Sequence, residues 1–98
     1  MHAFIQDVPI DALLYRQIVE GLGDDPPPGL VVHIAAERSE GGLRYYSVWE
    51  SAEHFERFAE ERLHPVVHRL LSEVFGDDFP PEPEQQPFPV IHAWGRLG

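Results

Sequence analysis

Residues 30–50 read LVVHIAAERSEGGLRYYSVWE, and how they are read decides the fold. LVVHIAAE (30–37) and LRYYSVWE (43–50) are both rich in β-branched and aromatic residues, with RSEGG between them. Two such runs joined by a short glycine-containing loop predict an antiparallel hairpin. Ser51 follows at once as a helix cap, with Glu50 and Glu53 favouring the positive end of that helix. Ala52, Phe55, Ala59, Leu63, Val66, Leu70 and Val74 then recur at helical spacing and form its apolar stripe. Pro65 interrupts the pattern. It lacks an amide hydrogen and disfavours helical angles at His64, so a kink or a junction of two helices is expected there.

Toward the N-terminus, HAFIQ (2–6) is a strand. Ile10, Leu13, Leu14, Ile18 and Leu22 mark a helix that starts at Pro9, with Asp7 as its cap, and stops at GLGDDPPPG. The triple proline at 26–28 makes a stiff connector. Toward the C-terminus, GDDFPPEPEQQP reads as a loop and FPVIHAWG (88–95) as a final strand. The resulting order is β-α-β-β-α-β. It predicts one α+β domain over residues 1–98, a ferredoxin-like sandwich of a four-stranded antiparallel sheet with two helices on one face.

Such a sheet has one uncovered face, which should alternate polar. Here Leu43, Tyr45 and Trp49 share one face of the hairpin while Tyr46 and Val48 share the other. Leu30, Val32 and Ile34 alternate with Val31, His33 and Ala35, and in the final run Phe88, Val90 and Trp94 oppose Ile91 and Ala93. Both faces carry large apolar groups, so the expected remedy is a homodimer packed sheet against sheet.

Bulk composition narrows the function classes. The chain has 98 residues, a formal net charge of −10 and seven basic residues, all arginine. Nucleic acid and anionic membrane surfaces both call for a basic patch, so neither is expected as a partner. The absence of cysteine removes disulfides, thiolate metal sites and cysteine nucleophiles. MHAFIQDVPID has neither a basic start nor a long apolar run, and GLVVHIAA is too short to span a bilayer; a cytoplasmic protein is expected.

The segments PGLVVHIAA, YYSVWESAEHFERFAEERLHPVV and PVIHAW resemble the dimeric α+β barrel superfamily, specifically the antibiotic-biosynthesis-monooxygenase-like proteins. The strand–Trp–Glu–Ser–helix junction followed by FERF carries most of that likeness, which runs over almost the whole chain. The superfamily includes quinone-forming monooxygenases that use no cofactor, haem-degrading monooxygenases, isomerase- or lyase-like enzymes and many small proteins of no known function. The resemblance therefore implies a small dimeric α+β barrel acting as a cofactor-independent monooxygenase, or as a binder of a small aromatic or polyketide-like molecule. A non-enzymatic accessory or binding dimer is the alternative from another class.

The residues that could carry such chemistry are few. His33 and His92 each sit inside an apolar run and are the candidate bases, either buried imidazoles hydrogen-bonded to backbone or a base lining a pocket. On ferredoxin-like strand order they fall at opposite sheet edges, roughly 14 Å apart, so at most one serves a given pocket. Tyr45, Tyr46, Trp49 and Trp94 would wall a flat ligand, and Phe58 joins the substrate-binding set. His64 and His68 are spaced for one helical face, but Pro65 lies between them and no His-Glu-x-x-His pattern exists, so no metal site is expected. By resemblance to the haem-degrading members, Trp49, Ser51, Phe55 and Phe58 lead to His68 as the haem ligand of a further alternative. Phe58 stands where those enzymes carry tryptophan, and Gln6 is the nearest stand-in for their first-strand asparagine.

Overall fold

The computed structural model describes residues 1–76 and 82–94. The elements in order are β1 (His2–Val8), α1 (Ala12–Leu22), β2 (Leu30–Glu37), β3 (Leu43–Trp49), α2 (Ala52–Phe58), a π-helical segment (Ala59–Leu63), α3 (His64–Phe75) and β4 (Gln85–Pro87). The four strands form one antiparallel sheet in the order β2-β3-β1-β4. This is an α+β arrangement compatible with a ferredoxin-like fold.

The hairpin forms as its composition requires. Ile34 pairs with Tyr46, His33 with Ser47 and Glu37 with Leu43, and the loop closes through Arg38 N–H to Gly42 O at 3.1 Å. A β-bulge between Leu30 and Val32 departs from strict alternation. It sets Leu30 opposite Trp49 and Val32 opposite Val48, so Leu30 joins the face of His33 instead of that of Val32.

Three further expectations are corrected. The first helix is capped by Asp11, whose carboxylate accepts from Leu14 N–H at 2.8 Å, while Asp7 lies in β1. Asp7 instead receives Arg44 Nε at 2.7 Å and Nη2 at 3.1 Å from the opposite strand. That bidentate pair holds Asp7 in the sheet and drops its pKa below the ordinary value, the Arg44 hydrogen bond being the largest cause.

The expected junction is present, since α3 begins at His64 with Pro65 in its first turn, but His64 keeps helical angles, φ −59° and ψ −43°. The run 52–75 stays helical because its middle widens to π geometry, with His64 N–H reaching Ala59 O five residues back. A π turn is how a helix accommodates a residue that lacks the i→i−4 donor.

The final strand is Gln85–Pro87, upstream of the expected 88–95 (Gly95 lies outside the described residues). Proline interrupts the ladder. Phe88 N–H still reaches Ala3 O at 3.1 Å, but Pro87 and Pro89 have no N–H to give, so pairing stops before His92.

Most of the core lies between the sheet and the helices, while Ala3 and Val48 are buried on the opposite sheet face. Phe4 and Trp49 are almost fully buried, and Phe55 meets them edge-on with ring centroids 5.0 and 5.5 Å away. Ser51 caps α2 by accepting from His54 N–H. The His54 ring then lies over Gly29 so closely that a Cβ there would sit 2.3 Å from it, and Gly29 also has φ +85°. Gly29 O accepts from Glu50 N–H at 2.8 Å, which ties the start of β2 to the strand–helix junction. Among the described residues no helix is long and apolar enough to cross a membrane.

Candidate functional site

Alternation along β1, β2 and β3 sends Phe4, Gln6, His33, Tyr45, Ser47 and Trp49 toward the helices, where they line a cleft with α1 and the run 52–75. The cleft has two lobes, of about 230 and 300 Å³. Gln6, Ile18, Tyr45 and Leu63 line both, and so form the neck between them.

The first lobe is aromatic. Tyr15, Tyr45, Trp49, Phe55 and Phe58 line it, and Trp49 and Phe58 are 5.3 Å apart at their ring centroids. His33 is its titratable centre. Its Nδ1 is hydrogen-bonded to the buried Ser47 hydroxyl at 2.7 Å, with the roles of donor and acceptor set by the tautomer. Tyr15 stacks near the imidazole at 6.2 Å, and Tyr45 meets it edge-on at 4.9 Å.

His33 is exposed to water through the open side of the cleft. Protein is nevertheless packed closely enough around it that desolvation lowers its pKa below the usual 6.5. The same loss of solvent raises the pKa of Tyr15 and Tyr45; at Tyr45, the proximity of Tyr15 adds to the effect. At neutral pH the lobe therefore presents a neutral imidazole and two protonated phenols. The buried Trp49 Nε1–H has no hydrogen-bond partner among the described residues.

One wall of this lobe is the connector between α1 and β2, residues 23–27. Arg62, from the π segment, holds it: Nη2 donates to Leu22 O at 2.6 Å and Asp25 O at 3.2 Å, and the guanidinium lies 5.6 Å from the Phe58 ring centroid. The second lobe is aliphatic at its base. His64, His68 and Glu82 also line it, with His64 Nε2 3.5 Å from Glu82 Oε1. Gln6 Nε2 donates to Pro83 O at 2.8 Å across its wall. Among the described residues no group of three or more histidine and acidic side chains is placed to hold a metal ion.

His33, Tyr45, Trp49 and Phe58, four residues singled out from the sequence, thus meet in one lobe. His68 lies in the other, so the series Trp49, Phe58, His68 is divided between the lobes. His92 and Trp94 are in the exposed segment beyond β4 and line neither lobe. Tyr46 points to the opposite sheet face, in register with Ile5 and Ile34.

Sequence reading missed Ser47 and Tyr15, and took Arg62 only as a charge that could meet a porphyrin, not as the clasp on the cleft wall. Ser47 had a signal: a loop of five residues pairs 37 with 43, and counting back in register brings 33 opposite 47. Tyr15 and Arg62 had none, since each reaches the cleft through the packing of separate elements. No model of a known protein family matches the chain, and no curated protein matches it.

Proposed function

We propose that the chain is a homodimer of the dimeric α+β barrel kind, whose aromatic lobe binds a small flat aromatic or polyketide-like molecule and whose His33 removes a proton from it. The observation that carries this reading is the His33–Ser47 hydrogen bond set in a lobe walled by Tyr15, Tyr45, Trp49 and Phe58. A base acting at neutral pH must be unprotonated, and desolvation keeps His33 so. When Nδ1–H donates to Ser47 Oγ, Nε2 is left with a free lone pair, and the hydroxyl fixes both tautomer and ring angle. Tyr15 and Tyr45, whose protons are held more tightly than usual, serve as donors to the oxygen on which charge develops.

The reaction proposed is oxidation of an activated ring methylene. Loss of a proton to His33 gives a delocalised carbanion that reduces dioxygen to a peroxide on the same carbon. Loss of water then leaves the carbonyl. One oxygen atom enters the product and the other leaves as water; the four electrons come from the methylene carbon, so no external reductant is consumed.

Dimerisation is part of the reading. The open sheet face carries Ile5, Val32, Ile34 and Tyr46, with Ile34 half exposed in the single chain, and a second copy would cover it.

Oxygen uptake with anthrone tests the chemistry. The protein should form anthraquinone well above the buffer rate, and His33→Gln should be slower by about 10²–10⁴-fold. Binding of anthrone with no uptake above buffer would leave an accessory binding dimer. Absence of binding would overturn the reading altogether.

A further inference from the structure

The two lobes differ in what lines them, and that contrast says more about the ligand than the aromatic lobe does alone. An apolar cavity of about 150 Å³ takes one benzene ring, so the first lobe, at about 230 Å³, has room for a fused bicyclic head. The second lobe, about 300 Å³, shares Tyr45 at the neck and has no other Phe, Tyr or Trp; Val8, Ile10, Val67 and Leu71 line it, with the His64 and His68 imidazoles to one side. Two of its polar groups are engaged, the Gln6 amide with Pro83 O and His64 with Glu82, and His68 lines it as well. A carboxylate entering this lobe would meet Glu82. The apolar part of the lining, Val8, Ile10, Val67 and Leu71, favours an uncharged aliphatic chain.

We propose that the lobes form one bipartite site for an aromatic molecule bearing an uncharged aliphatic tail, with the fused ring beside His33 and the tail passing the Gln6–Tyr45 neck into the second lobe. This rests on the aromatic-ligand reading of the first lobe and adds the class of substituent. The tail would set specificity by burying methylenes against Val67 and Leu71, while the head alone meets the base.

Calorimetric titration with 2-naphthol and its ethyl, butyl and hexyl derivatives separates the two claims. Each added methylene should tighten Kd about fourfold, the equivalent of about 0.8 kcal/mol per buried CH₂. Val67→Phe, which fills the second lobe, should remove that gain. As a check that does not depend on a variant folding, the Val67 and Leu71 methyl resonances should move with the hexyl derivative and not with 2-naphthol. Binding of 2-naphthol with a flat series, or a gain that survives Val67→Phe in a folded protein, would overturn the bipartite site and leave the aromatic lobe standing. If neither 2-naphthol nor any derivative binds, both claims fall.

Discussion

The two faces of the sheet are built from alternate residues of the same strands, yet they hold different kinds of residue. The face toward the helices has Phe4, Ser47 and Trp49 buried and His33 and Tyr45 along the cleft. The outer face has Ala3 and Val48 buried, Ile5, Ile34 and Tyr46 more open, and at one end Asp7 bracketed by Arg44 and Arg38. On the inner face His33 is held by Ser47 and, though open to water on one side, is crowded by protein, so its acid–base behaviour shifts by desolvation. On the outer face the charges stay near solvent and shift mainly through one another. The proposed chemistry uses the inner face, and the proposed association uses the outer one.

Substitutions that break this contrast should be graded. The largest effect belongs to Trp49, which is 3% exposed and packs on Phe55 and Phe58. Trp49→Ala should cost about 3–5 kcal/mol in urea denaturation. Trp49→Phe should cost less, because it also removes a buried N–H that has no partner. Near-native stability in Trp49→Ala would end the claim that the strand–helix junction organises the inner face.

Gly29→Ala comes next. Its positive φ and the overlying His54 ring leave no room for a methyl, and a loss of more than about 1 kcal/mol is expected in the same assay. Ser51→Ala removes the α2 cap and should cost about 1 kcal/mol. If the two variants melted together with wild type, the junction would be looser than the packing implies.

A pH dependence follows from His33. Its folded pKa lies below the unfolded 6.5, so the unfolded chain binds the proton more readily. That contribution to stability is fully present above pH 6.5 and is lost as pH falls through the folded value. Tyr15 and Tyr45 run the other way: their raised pKa values stabilise the fold below about pH 10 and cease to as pH rises through the folded values. Between about pH 7.5 and 5, the melting temperature of wild type should fall more steeply than that of His33→Gln. Parallel curves would contradict the desolvated imidazole.

The smallest effect on the protomer, and the sharpest on assembly, is expected outside. Ile34→Asp changes a half-exposed residue and should alter the stability of the single chain by no more than about 0.5 kcal/mol. Light scattering should nonetheless fall from twice the chain mass to the chain mass. A dimer that persists would show that the outer face is not where copies meet.

The hairpin and most of both helical stripes were legible because local signals there agree with the final packing; Leu13 and Val74, read into the stripes, are exposed. Turn residues at 38–42 fix the register, and capping serine and apolar spacing mark α2. Two errors came from proline. At Pro65 the i→i−4 rule predicted departure from helical angles, whereas a π turn supplied another hydrogen-bond pattern. At 87 and 89 β-rich neighbours outweighed two missing N–H donors, and the reading carried His92 and Trp94 onto a strand that ends before them. The bulge at Val31 gives no sign, because Leu30, Val31 and Val32 are all apolar. In the cleft, His33, Tyr45, Trp49 and Phe58 could be found from residue type and alternation. Tyr15 and Arg62 could not, because only the packing of separate elements brings them there.

The central claim is that a neutral His33 stands beside a bound aromatic molecule, and NMR titration of its imidazole Cε1–H tests this most directly. With the free protein the midpoint should lie below 6.5, and adding 2-naphthol should move the resonance and shift its midpoint while other histidines hold theirs. A midpoint at the ordinary 6.5, with a resonance indifferent to 2-naphthol at saturating concentration, would contradict the account.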